Sequence, residues 1–325
     1  MHKVSLETLT LLIGIAAIAL LISVYDLNGT LRDFAHLRPD YLLFAVGAFF
    51  AYTAWKFFPW SYIIRKLKLR ISITQSFVMM YAFYGMGIVP SSVGQFLPLK
   101  YLSNFKKNAS FFSLGIILAL GATSGLALLL MTIISAIFLS KYITYLVALF
   151  AITYLYTSLL GMERTQNILI KMVNKIFNPK KHPIFKNLAS NLKGLGKHHA
   201  FLSQKDIIIE TVLFLPSLFF EAILLLFVLL ALNQSVPIVS VVFIFGISVA
   251  VGNLFGGISL LPAGLGITDT AMVALLLLFG IPGAVAITVT ILFRFFNTFC
   301  VFLAAYLSMF YMKMKFPKLQ VKVGR

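Results

Sequence analysis

Apolar residues run in long unbroken blocks along this chain, at 6–25, 40–64, 110–139, 207–232, 236–259 and 283–311, with polar and basic residues gathered between them. A helix needs about 20 consecutive apolar residues to cross a hydrocarbon core of about 30 Å. Each block therefore predicts a spanning helix, and the block at 143–160 predicts a slightly short seventh. Segments 74–88, 90–103 and 264–280 are shorter still. At 1.5 Å per residue the middle one reaches only about 21 Å, so these segments predict broken or re-entrant helices. The pattern gives an all-α polytopic membrane protein with about seven to eight spanning helices and two broken elements arranged as a pseudo-repeat. It is expected to form a single transmembrane domain over 1–325, with a first half at 1–160 and a second half at 206–325 joined by a basic amphipathic loop at 161–205.

The breaks carry the most information. Pro90-Ser91-Ser92-Val93-Gly94-Gln95 and Pro262-Ala263-Gly264-Leu265-Gly266-Ile267-Thr268-Asp269 both read Pro-x-x-x-Gly, and each follows a glycine-rich approach, Gly85-Met86-Gly87 and Gly256-Gly257. Paired interruptions in corresponding halves point to a transporter's binding site. A bland reading stays open, because proline and glycine are common in membrane helices and small residues let helices approach closely.

Composition agrees with the blocks: 60% of the 325 residues are hydrophobic, 11% are charged, and mean hydropathy is +0.98. The first block holds Glu7 and ends in Tyr25-Asp26-Leu27-Asn28 without a small-x-small cleavage pattern, so a retained first helix is expected. A single cysteine, Cys300, excludes an intrachain disulfide. Nucleic acid is not needed to explain the net charge of +18, because Lys and Arg collect in alternate loops. Arg65 to Arg70, Lys100 to Lys107, the 161–205 loop and the C-terminus fall on one side; Arg32, Arg38 and Lys141 fall on the other. By the positive-inside rule both termini are expected on the cytoplasmic side of the cytoplasmic (plasma) membrane. In the loop, Ile168, Leu169, Met172, Val173, Ile176 and Phe177 share one helical face, which predicts a helix lying on an anionic leaflet. It serves either as an anchor or as a docking surface for a partner enzyme.

Charge at membrane depth costs about 2.5–3.5 kcal/mol per residue on insertion scales, so Glu221, Asp269, Arg294 and Lys56 each need a reason. Arg294, Asn297 and Thr298, with Thr290 a turn earlier, form a polar stripe on the last helix. Helix starts after Pro90 and Pro262 expose backbone N–H groups that favour an anion. Gly94, Gly264 and Gly266 allow close approach, Ser92, Gln95 and Thr268 add neutral donors, and Arg294 or Lys100 adds positive charge. Glu221 and Asp269 are the expected counter-charges of Arg294, with Asn297 beside them. Asp269 also reads as the cap of its own helix, and Lys56 as a snorkelling lysine. No catalytic set, metal site or cofactor is expected.

With these features in view, the chain resembles the lysylphosphatidylglycerol synthase transmembrane family, a flippase-like membrane domain. Leu261-Pro262-Ala263-Gly264-Leu265-Gly266-Ile267-Thr268-Asp269, the following Leu275 to Pro282 stretch and Phe293-Arg294-Phe295 are similar to that family's Pro-Gly-Gly-Leu-Gly-x-x-Glu run and arginine helix. Pro90, Gly94 and Gln95 fall on its Pro-x-Arg-x-Gly-Glu. Ser92 and Thr268 stand where Arg is usual, and Gln95 and Asp269 where Glu is usual. The resemblance implies handling of a polar lipid, of aminoacyl-phospholipid or isoprenoid-phosphate type, by a protein that is not itself an enzyme. Two other readings stay open: an adaptor for a glycosyltransferase acting on a lipid carrier, and an ion-coupled transporter of a small anion.

Overall fold

The computed structural model describes residues 32, 34–69, 71–87, 95, 98, 99, 101, 102, 109–139, 203–259 and 266–315. Its helices are α1 (Pro39–Trp55), α2 (Phe57–Lys66), α3 (Ile73–Met86), α4 (Ala109–Phe138), α5 (Gln204–Ala231), α6 (Ile238–Ser259), α7 (Ile267–Leu278), α8 (Gly283–Arg294) and, after a π-helical turn at Phe295–Cys300, α9 (Val301–Lys315). There is no strand among the described residues. The apolar blocks at 6–25 and 143–160, the breaks at 90–94 and 262–265, and the basic loop up to residue 202 lie outside them.

Among the described residues four helical stretches are long and apolar enough to cross a membrane: Pro39–Lys66, Ala119–Phe138, Lys205–Ala231 and Gly283–Lys315. Local sequence sets their ends. Ser72 and Gln75 close a capping box on α3, and Ser203 and Asp206 close another on α5, so each helix start satisfies its own N–H groups. At the other ends Lys68, Asn233 and Gly280 adopt positive φ. Backbone bonds Leu69 to Ile64, Gln234 to Leu229 and Ile281 to Leu276 then tie off the last carbonyls of α2, α5 and α7.

Helix α5 is the hub, packing on α1, α2, α4, α6 and α8. It runs antiparallel to the α1–α2 rod. Arg38 N–H donates to the Ala231 carbonyl at 2.9 Å at one end, and Lys66 Nζ meets Asp206 Oδ1 at 2.7 Å at the other. Midway, Trp55 Nε1 donates to the Leu213 carbonyl at 3.1 Å, just before Pro216, where proline disrupts the helix's own bonding. Pairing Lys66 with Asp206 sets the ends of α2 and α5 on one side, as the charge pattern requires.

Close approach depends on small residues. A Cβ on Gly85 would strike Ala305 and the Val301 carbonyl, so Gly85 lets α3 meet α9. Gly246 and Gly252 in α6 likewise receive Thr132 and Thr268. The outer surface is apolar: Phe295, Phe299, Leu303, Leu307 and Phe310 are exposed along one face of the last span, and Leu43, Phe44 and Phe50 along α1. A surface of this kind belongs in hydrocarbon, and bonding every backbone group inside helices is what permits it there.

Candidate functional site

The second break leads into α7 through Gly266, whose φ of +85° is accessible to glycine at no steric cost. The Gly266 N–H donates to Asp269 Oδ2 at 2.8 Å. The other oxygen of that carboxylate, Oδ1, receives Arg294 Nε at 2.5 Å. Arg294 closes α8 on the neighbouring chain segment, and its Nη1 also reaches Thr298 Oγ1 at 3.4 Å. The two charged side chains are only 11% and 4% exposed. Asp269 therefore performs both tasks read from the sequence, capping its own helix and neutralising Arg294.

Glu221 acts on Arg294 through its charge and not through a direct ion pair. Its Oε1 accepts from Asn297 Nδ2 at 2.5 Å, and Asn297 Oδ1 accepts from the Tyr52 hydroxyl at 2.7 Å. The predicted α-helical stripe is altered by the wide turn at Phe295–Cys300, which carries both Asn297 and Thr298. Single π turns of this kind recur at functional sites. Thr290 is buried with its hydroxyl on the Ala286 carbonyl at 2.8 Å.

Lys56 corrects a further expectation. Its ammonium does not snorkel outward; Nζ lies 4.3 Å from the centre of the Tyr52 ring and 5.1 Å from that of Tyr84. It attracts Glu221, as Arg294 also does. Lys56 and Arg294 thus balance Glu221 and Asp269, and aromatic faces supply part of the lysine's solvation.

Of the other predicted residues, Thr268 is buried against Gly252, which commits it to helix packing. Gln95 stands against Gly87. Pro90, Ser92, Gly94, Pro262 and Gly264 lie outside the described residues, as does Lys100. Sequence reading passed over Asp206 and Glu210. Both sit near the start of an apolar run beside a basic loop, where acids look solvated, yet both are buried. Four-residue spacing on α5 was the available signal.

Fold and site together define an all-α polytopic membrane protein with a buried, self-neutralised charge cluster between its helices. The chain belongs to the family described as lysylphosphatidylglycerol synthase TM region, whose model matches residues 8–305. A comparison with curated proteins returned no match.

Proposed function

We propose that this protein binds the phosphate-bearing headgroup of a membrane lipid at the Arg294 cluster and carries it across the cytoplasmic membrane, moving the lipid rather than making it. The observation that carries this reading is the double role of Asp269. Its carboxylate occupies a helix N-terminal N–H and a buried guanidinium at once, which are the two kinds of donor a phosphate would use.

An arriving headgroup would displace Asp269 from Arg294 and take its place, while the acyl or isoprenoid tails stay against the apolar outer face. The internal carboxylate keeps the guanidinium compensated when no lipid is bound, since an unpaired charge there would cost about 3–5 kcal/mol. Family membership supports a lipid substrate over a small soluble anion. Aminoacyl-phospholipid and isoprenoid-linked phosphate both fit this chemistry.

The test is reconstitution into vesicles carrying a fluorescent phospholipid, with leaflet exposure read by a membrane-impermeant quencher. Arg294→Ala should abolish protein-dependent exposure while the variant remains folded, and Arg294→Lys should retain part of it. Full exposure with Arg294→Ala would remove the proposed site.

A further inference from the structure

Glu210 lies on α5 one turn beyond Asp206 and has no exposed surface. Neither of its carboxylate oxygens receives a hydrogen bond among the described residues. Thr123 of α4 stands beside it, but the Thr123 hydroxyl proton is given to the Ala119 carbonyl at 2.8 Å. Tyr84 of α3 is within electrostatic reach, and its own hydroxyl is buried without a hydrogen bond. Thr211 Oγ1, on the next residue of α5, is in the same condition.

Among the described residues the surrounding charges are already committed. Asp206, which repels Glu210, is held by Lys66 at 2.7 Å and by the Tyr62 hydroxyl at 2.6 Å; Arg65, on the same helix as these two, is exposed. Lys56 faces the ring of Tyr84 and is drawn to Glu221. On α1, Asp40 pairs with Arg38 and Tyr52 bonds Asn297; on α8, Arg294 pairs with Asp269. Helices α4 and α6 bring no ionisable side chain. Among the described residues neither a hydrogen-bond donor nor a cation is left for Glu210, and an ionised carboxylate so placed is strongly disfavoured. A proton removes the charge and creates a donor for the lone pairs of Thr123 Oγ1.

We propose that Glu210 is a proton-binding site separate from the Arg294 cluster, a carboxyl that exchanges its proton with water when the packing of α4 against α5 opens. The inference stands on the burial and bonding of Glu210 and does not depend on which ligand the Arg294 cluster holds.

Infrared difference spectroscopy of the full-length protein in lipid nanodiscs, stepped through pH, tests it. Wild type should show a protonated-carboxyl C=O band that is lost as pH rises and is missing in Glu210→Gln. Glu210→Asp keeps a carboxyl and should shift the band, which guards against a Glu210→Gln variant that fails to fold. A band unchanged in Glu210→Asp, absent at every pH, or persisting at every pH would overturn the proposal. So would a band removed at constant pH by sodium or potassium chloride but not by choline chloride, since the cluster would then hold a metal cation.

Discussion

Tyr52 and Asn297, 245 positions apart, meet through a 2.7 Å hydrogen bond from the phenol to the amide oxygen. The amide nitrogen passes on to Glu221. One asparagine thus joins α1, α5 and the π turn in a setting where each polar group left without a partner costs about 1–3 kcal/mol.

Asn297→Leu orphans both the Tyr52 hydroxyl and the Glu221 carboxylate, so it should destabilise by at least about 2 kcal/mol. Combining it with Glu221→Leu should cost less than the two single changes added together, because the second removes the group that the first stranded. Unfolding in mixed micelles measures this. Strict additivity would mean that the bond carries no coupling.

Asp269→Asn retains an oxygen that can accept from the Gly266 N–H but removes the charge facing Arg294. The variant should lose about 3–5 kcal/mol in neutral lipid, following the cost of stranding a buried charge. Anionic phospholipid should restore more stability to it than to wild type. Equal response of both proteins to anionic lipid would exclude exchange between carboxylate and phosphate at this position.

Gly85→Ala should loosen α3 from α9, since the added methyl meets Ala305 and backbone at Val301. Overpacking of this kind costs about 1–3 kcal/mol. Gly47→Ala is the matched control: nothing lies within 4 Å of the new methyl, and α1 should tolerate or gain from it. Comparing the two melting temperatures tests whether contact, rather than glycine content, holds this interface.

Lys66→Gln should lower the melting temperature at low salt and lose that effect at high salt, because its ammonium is half exposed. Asp206→Ala should remain destabilising at all salt concentrations, since it also removes the acceptor of the Ser203 N–H and hydroxyl and of the Tyr62 hydroxyl. Melting curves across a salt series separate the two effects.

The spans within the described residues were legible because hydrocarbon imposes length and apolarity on any helix that crosses it. The Asp269–Arg294 pair was legible too, since a buried guanidinium requires an acid and Asp269 was at hand. Lys56 misled because its flanking aromatics look like an interface belt, whereas Tyr52 and Tyr84 converge on it only through tertiary packing. The π turn left no trace either. Phe293-Arg294-Phe295-Phe296-Asn297-Thr298 holds no proline or glycine to mark it.

That wide turn also has an angular effect. In an α-helix each residue advances about 100° around the axis, so a surplus residue between Arg294 and Val301 rotates all of α9 relative to α8. The orientation that sets Ala305 into the notch at Gly85 while Leu303 and Leu307 face outward is therefore fixed by winding at the charge cluster. If ligand exchange at Arg294 tightened the turn, the last fifteen residues of the span, Val301–Lys315, would swivel as a unit against α3. The π turn would then act as a crank between headgroup chemistry and helix orientation.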